Sequence, residues 1–318
     1  MNYSIVHDTR RGTRKNNQDR VAYSESQNGV FMVIADGMGG HARGDVAAQI
    51  TVDCLIDAFN GQGQKRIDNP AAFIVSSMNF AHLTLNLVSR KNGLDKDTPR
   101  TTCVACLVQN GYAYWGHVGD SRLYLFGDGE LLSRTIDHST TDQMHQDGVV
   151  DEQFQRFGQG QVLRCIGGNK RPVVTLGPET HLGQGDTILL CTDGVWRAFK
   201  EKQLIKIVNK EYIEDSVDEM LNYSRRFFTD ECDNLTALAF RWEDEPTRDE
   251  PLLNLSAPDL DQEKLWLTAK YPRKRTSSPV RPEKQRIDNI DSAIAEIESF
   301  VNDLDTEIEI THRKHKND

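Results

Sequence analysis

Residues 30–41 read VFMVIADGMGGH, an uninterrupted apolar run that ends at Asp36 and continues into a glycine-rich segment. A short apolar run bounded by turn residues predicts a strand that is buried on both faces. A carboxylate directly after a buried strand costs free energy unless it is paired or binds a cation. This stretch therefore predicts a core strand over residues 30–35 with a chemically important carboxylate at its end.

Similar apolar segments recur along the first 242 residues. They predict strands over residues 102–108, 113–118, 123–126, 187–191 and 235–242. The pair Asn110-Gly111 lies between two of them and is typical of a two-residue hairpin, which joins antiparallel strands. Apolar residues spaced three and four apart predict helices over residues 44–59, 70–88 and 204–226. Hairpins mixed with long helices indicate an α+β fold rather than a doubly wound parallel sheet.

The composition changes after residue 242. Residues 243–251 and 271–286 are charged and contain proline, which is typical of linkers, so we expect a first domain over 1–242 and a tail over 243–318. The tail carries a heptad-like apolar stripe: Ile287, Ile290, Ile294, Ile297, Val301, Leu304 and Ile308. The stripe predicts one amphipathic helix, which either folds back onto the body of the chain or forms a coiled coil or partner-docking helix, with self-association through 287–308 as one form of this.

Charge and cysteine usage restrict the class of protein. The net charge is −10 over 318 residues, which argues against a nucleic-acid or anionic-membrane binder. Residues 1–14 lack the apolar core of a secretory signal, and no strongly apolar run approaches the roughly 20 residues of a membrane span. Cys103 and Cys106 form a CxxC, but residues three apart on a strand face opposite sides. We therefore expect ordinary thiols in a cytoplasmic protein.

Aspartates stand at the ends of several predicted strands. They are Asp19, Asp36, Asp120, Asp193 and Asp233. Each alone is also typical of a turn or a cap. Several carboxylates at one sheet edge would repel each other, and divalent cations remove that conflict. All-oxygen ligands favour hard ions such as Mg²⁺ or Mn²⁺.

Five blocks resemble, in order and spacing, the metal-dependent serine/threonine protein phosphatases of type 2C, and in particular their bacterial branch. They are RKNNQD at 14–19, VIADGMGGH at 33–41, GHVGDSR at 116–122, LLCTDGVW at 189–196 and DNLT at 233–236. The match runs from about residue 9 to residue 240. The resemblance implies a four-layer α/β/β/α sandwich, in which two antiparallel sheets face each other and helices lie outside.

The resemblance also implies a ligand role for each matching residue. Asp36 would bridge two metal ions, Mn²⁺ or Mg²⁺, and the carbonyl of Gly37 would bind one of them. Asp193 and Asp233 would hold the other ion. Asp19 would support the site directly or through a bound water.

Three further residues have implied roles. Asp120, with Asp193, would form a weaker third metal site. Arg14 would hold the substrate phosphate, since a guanidinium fork matches phosphate oxygens. His41 is a candidate proton donor to the leaving group. Eukaryotic members carry histidine directly after the Asp-Gly pair, where this chain has Met38, so a metal-bound water is the alternative donor.

The implied function is a phosphoprotein phosphatase that hydrolyses phosphoserine and phosphothreonine with a metal-activated water and opposes a serine/threonine kinase in bacterial signalling. The alternative is a catalytically silent, phosphoprotein-binding scaffold, which should have lost metal carboxylates. A dinucleotide site also fits residues 37–42 formally, but Asp36 would face the pyrophosphate. Residues 138–160 match the variable flap beside the site and are expected to contribute to substrate choice.

Overall fold

The computed structural model describes residues 1–38, 43–93, 98–138, 164–229 and 231–244. Its strands are β1 Tyr3–Arg10, β2 Asp19–Ser26, β3 Gly29–Met38, β4 Arg100–Thr101, β5 Cys103–Gln109, β6 Tyr112–Val118, β7 Arg122–Gly127, β8 Glu130–Arg134, β9 Ile166–Gly167, β10 Thr175–Leu176, β11 Thr180–His181, β12 Thr187–Cys191 and β13 Leu235–Trp242. Its helices are α1 Gly44–Asn60, α2 Pro70–Lys91, α3 Asp193–Trp196, α4 Glu201–Val208 and α5 Ile213–Phe227. His41, most of the 138–160 segment and residues 287–308 lie outside the described residues.

The strands form two antiparallel sheets. One has five strands in the order β1-β13-β12-β7-β8. The other has eight, with the path β10-β6-β5-β3-β4-β9, β2 paired to β3 and β11 paired to β6. The predicted strand at residues 30–35 lies inside β3, between β2 and β5. It is apolar on both faces because one face packs against helices and the other against the second sheet.

Three apolar cores separate four layers. One core, with Phe31, lies between the eight-stranded sheet and helices α1 and α2. A second, with Met32 and Phe240, fills the space between the sheets. The third, with Leu189, packs the five-stranded sheet against α4 and α5. Phe31 and Met32 are neighbours on one strand and enter different cores, as strand alternation requires. The predicted four-layer α/β/β/α sandwich is confirmed.

The hairpin and the CxxC follow their predictions. Asn110 and Gly111 have φ of 54° and 76° between β5 and β6, the left-handed pair of a two-residue hairpin. Cys103 packs in the helix-side core and Cys106 in the core between the sheets. All six cysteines are free. The CxxC is therefore two separate buried thiols.

The single helix predicted over residues 204–226 is wrong, because the chain breaks into α4 and α5. The Ser216 hydroxyl donates to the carbonyl of Ile207 at 2.8 Å. The Arg241 guanidinium, from β13, donates to the carbonyl of Glu211 at 3.0 Å. These two side chains donate hydrogen bonds to carbonyls that would accept from backbone amides in a continuous helix. They therefore stabilise the turn between the helices.

Helix α2, with 22 residues, is long and apolar enough to cross a membrane by length and composition. Ile74, Met78 and Leu85 on one of its faces are buried in the helix-side core. A core helix passes the same test, and this face gives α2 that role in the sandwich.

Candidate active site

Asp36 lies near the end of β3, where hydrogen bonds from residues 101 and 102 hold its backbone. Asp19, the first residue of β2, lies opposite Asp36 in the strand register. The Thr102 amide donates to the Asp36 carbonyl at 2.9 Å, and the Thr101 hydroxyl donates to the same carbonyl at 2.8 Å. Asp19 and Asp36 thus lie side by side at one end of the eight-stranded sheet.

Gly37 and Gly44 let the end of β3 meet the start of α1 backbone to backbone. A Cβ added to Gly37 would lie 2.1 Å from the carbonyl oxygen of Gly44. A Cβ on Gly44 would lie 2.6 Å from the carbonyl carbon of Gly37. The Gly37 amide donates to the Gln18 carbonyl at 3.1 Å. This close approach explains why glycine follows Asp36.

Asp19 links the two sheets through one of its oxygens. Its Oδ2 accepts hydrogen bonds from the hydroxyls of Thr192 at 2.9 Å and Thr236 at 2.7 Å. Thr192 directly follows β12 and Thr236 lies in β13 of the opposite sheet. Asp19 is only 2% exposed. Burial raises its pKa to about 7 against the lowering effect of the two hydroxyls.

Asp36 lies in β3 of one sheet and Asp193 directly follows Thr192 after β12 of the other, and their carboxyl groups interact electrostatically. Burial raises the pKa of Asp193. Burial, and then the nearby negative charges, raise the pKa of Asp36 well above its ordinary value. Those charges belong to Asp19, Asp193, Asp120 and Asp233. The five aspartates therefore form one electrostatically coupled group.

Arg14 is brought to this group by the loop before β2. Its Nη2 lies 2.8 Å from Oδ2 of Asp233, and this contact is the main cause of the raised pKa of Arg14. Asn234 anchors the loop, since its amide group donates to the Arg11 carbonyl at 2.8 Å and its Oδ1 accepts from the Gln18 amide at 2.8 Å. The loop geometry thus sets the position of Arg14.

Asp120 lies in the turn between β6 and β7, after Gly119 with φ of 103°. The Trp196 indole N–H donates to the Asp120 carbonyl at 2.9 Å. Burial, and then the Asp193 charge, raise the Asp120 pKa to about 6. Arg197 faces both carboxylates, with Nη2 at 2.9 Å from Asp193 Oδ2 and 3.8 Å from Asp120 Oδ2.

A second layer of contacts supports the Asp120 turn. Arg122 binds Asp137 through two hydrogen bonds of 2.7 Å, and its guanidinium carbon lies 3.4 Å from the ring centroid of Trp196. The His138 amide donates to the Gly119 carbonyl at 2.9 Å, and the Gly119 amide donates to His138 Nδ1 at 3.1 Å. Burial lowers the His138 pKa to about 3, which keeps Nδ1 available as an acceptor.

The donor set fits hard divalent cations, because it consists of carboxylate and carbonyl oxygens. No basic side chain in the described ranges is ion-paired with Asp36, so its charge is not neutralised by the protein there. Across the same ranges, no three histidine, cysteine, aspartate or glutamate side chains are already arranged around a common point where a metal ion could bind. Arginines instead contact Asp233 and Asp193.

No role was predicted from the sequence for Thr192, Thr236 or Arg197. The two threonines stand inside or beside the matched blocks, but their shared bond to Asp19 depends on how the sheets face each other. Arg197 lies four residues after Asp193, a spacing that brings side chains together on a helix, and this was an available signal. His117 lies in β6 and hydrogen-bonds the Ile136 carbonyl.

The family model described as Protein phosphatase 2C matches residues 8–229. The chain belongs to the protein phosphatase 2C family. This membership agrees with the resemblance predicted from the sequence motifs. The family is metal-dependent.

Curated relatives include bacterial serine/threonine phosphatases. Serine/threonine phosphatase stp of Listeria monocytogenes is 26% identical over 231 residues, covering 71% of this chain and 90% of that protein. Serine/threonine protein phosphatase PstP of Mycobacterium tuberculosis is 26% identical over 219 residues, covering 67% of this chain. The match spans 40% of the length of PstP.

Solved structures share the fold. Serine/threonine phosphatase Stp1 from Staphylococcus aureus superposes with a TM-score of 0.68 at 25% identity, covering 77% of this chain and 96% of that one. The catalytic domain of PstP in complex with two manganese ions superposes with a TM-score of 0.64 at 23% identity, covering 76% and 99%. The second likeness supports the fold alone.

Proposed function

We propose that this phosphatase 2C chain is an active enzyme that hydrolyses phosphoserine and phosphothreonine in proteins. The observation that carries the proposal is the coupled group of five aspartates, which two sheets assemble beside Arg14. A silent phosphoprotein-binding scaffold has no need of so much buried negative charge, which is costly to keep.

Four residues would hold the two catalytic ions, Mn²⁺ or Mg²⁺. They are Asp36, Gly37 through its carbonyl, Asp193 and Asp233. When bound, such a pair lowers the pKa of a shared water and stabilises the entering and leaving oxygens of an in-line displacement. Asp19 would support this site with Oδ1, because its Oδ2 already accepts two hydroxyl hydrogen bonds.

Arg14 would bind the phosphate of the substrate. Its side chain is 62% exposed and its Asp233 partner 39% exposed, so a phosphate can approach the guanidinium from solvent. The fork of N–H donors matches two phosphate oxygens and orients the ester for displacement. His41 remains the proposed proton donor to the leaving alkoxide, with water as the alternative.

The proposed partners are phosphorylated proteins and a serine/threonine kinase whose products this enzyme would reverse. We propose a cytoplasmic location, supported by six free cysteines. Residues 287–308 are proposed as a regulatory, docking or self-association helix. The Glu243 amide donates to the Asn2 carbonyl at 2.9 Å, so a truncation that tests the tail should begin after Asp244.

The test is hydrolysis of p-nitrophenyl phosphate by the full chain with Mn²⁺, with EDTA, and in an Asp193→Ala variant. We expect activity with Mn²⁺, its loss with EDTA, and a drop of at least about 100-fold in Asp193→Ala. Asp57→Ala is the matched control, since Asp57 is exposed on α1. Absence of hydrolysis with every divalent ion would favour the scaffold.

A further inference from the structure

Arg197 occupies the position where the resemblance to phosphatases 2C implies a third metal ion. That ion would be held by Asp120 and Asp193. In the structure, Nη2 of Arg197 lies 2.9 Å from Asp193 Oδ2 and 3.8 Å from Asp120 Oδ2. One guanidinium nitrogen therefore faces both carboxylates from which the third site would be built.

The local fold keeps the guanidinium near this pair. Arg197 directly follows the short helix α3, and its amide donates to the Asp193 carbonyl at 3.1 Å. The Trp196 ring lies 5.4 Å from the Arg197 guanidinium carbon, within the range of a cation–π contact. Trp196 is itself fixed by its hydrogen bond to the Asp120 carbonyl and by Arg122 over its ring.

The negative charges of Asp120 and Asp193 need a nearby positive charge. Asp120 is 6% exposed, and the Asp193 side chain is 14% exposed. Two carboxylates this close and this poorly hydrated repel each other, and the arginine charge opposes that repulsion at both. A divalent ion placed between the same carboxylates would lie within contact range of a cation that cannot lose its proton.

We propose that Arg197 is the permanent cation of the Asp120–Asp193 pair and that this chain binds two metal ions and no third one. Asp120 is then a partner of Arg197 rather than a metal ligand. The inference rests on the proposed function, since it takes the two-ion site as given.

The test is Mn²⁺ binding to the purified full chain by equilibrium dialysis, which requires no turnover. The expected result is two ions per wild-type chain, with no weaker third ion at millimolar Mn²⁺. Arg197→Ala should gain one ion per chain. The matched control Arg197→Lys keeps the charge and should stay at two, and the double variant Arg197→Ala/Asp120→Asn should return to two.

Three ions on the wild type would overturn the inference and leave the proposed function intact. An unchanged count of two in a folded Arg197→Ala variant would also overturn it. The wild-type count decides the matter even if the variants fail to fold. No bound Mn²⁺ at all would contradict the proposed function itself, and with it this inference.

Discussion

Thr236 donates a hydrogen bond from Oγ1 to Oδ2 of Asp19 over 2.7 Å, joining β13 of one sheet to the first residue of β2 in the other. Asp19 is 2% exposed and Thr236 is fully buried. Removing a donor from a buried carboxyl leaves the acceptor unsatisfied, which costs about 1–3 kcal/mol. This contact is therefore a structural support for the site.

Thr236→Val should lower the free energy of unfolding by about 1–3 kcal/mol, because valine keeps the shape of threonine but cannot donate. Urea denaturation of the full chain measures it. Thr229→Val is the control, since Thr229 is exposed and should change little. Equal stability of Thr236→Val and wild type would show that Asp19 does not depend on this bond.

In the metal-free protein, the stabilising contribution of Asp19 and Asp120 should decrease as the pH rises. The pKa values of Asp120 and Asp19 are raised from about 3.8 to about 6 and about 7, so the folded state binds protons more tightly than the unfolded state. The stability from these protons is fully present below about pH 4 and is lost as the pH rises through 6 and 7.

Urea denaturation in EDTA between pH 4 and pH 8 tests this pH dependence. Asp19→Asn carries no titrating group at that position, so its stability should decline less steeply over the same range. Saturating Mn²⁺ should stabilise the wild type most at the upper end, where the carboxylates are ionised. Buried histidines with a lowered pKa, such as His138, act in the opposite direction and are common to both proteins. Equal slopes for the wild type and Asp19→Asn between pH 5 and pH 7.5 would therefore contradict the assignment of the Asp19 shift.

Arg14→Ala should lower kcat/KM on a phosphoserine peptide by about 10- to 100-fold, since a charged hydrogen bond is worth about 1.5–3 kcal/mol. Arg14→Lys should lose less, because it keeps the charge without the fork. Arg11→Ala is the matched control, as Arg11 lies exposed on the same loop. Equal values for Arg14→Ala and Arg11→Ala would remove Arg14 from phosphate binding.

Asp137→Asn should destabilise the fold by about 3–5 kcal/mol, because it leaves the guanidinium of Arg122 buried without its charged partner. The Arg122 and Asp137 side chains are 17% and 5% exposed. Glu219→Gln is the comparison, since it breaks the exposed pair with Lys210 and should cost less than about 1 kcal/mol. Similar losses in both variants would contradict a special role for the Arg122–Asp137 pair.

Local patterns predicted much of this molecule. The strand before Asp36 and the Asn110-Gly111 hairpin follow from apolar runs and turn chemistry, which are properties of neighbouring residues. The break between α4 and α5 does not, because it depends on Arg241, which reaches the turn from a distant strand. The spacing of apolar residues alone cannot show which backbone carbonyls will accept hydrogen bonds from a side chain that is distant in sequence.

The candidate active site was likewise only partly predictable from the sequence. The strand-end positions of Asp36 and Asp193 are readable from the chain, and the resemblance to the family supplied their roles. The contacts of Thr192 and Thr236 with Asp19, and of Arg197 with Asp120, join residues far apart in sequence. They depend on how the two sheets face each other, which sequence spacing does not encode. His41 and its role stay a prediction.

We propose that the grouped aspartates serve metal-dependent hydrolysis. The most direct test of this proposal is phosphate release from a phosphoserine peptide by the full chain, treated with EDTA and then resupplied with Mn²⁺, beside an Asp36→Asn variant checked for folding. We expect EDTA to abolish release, Mn²⁺ to restore it in the wild type, and Asp36→Asn to stay inactive. Release that persists in EDTA, or a fully active Asp36→Asn, would contradict it.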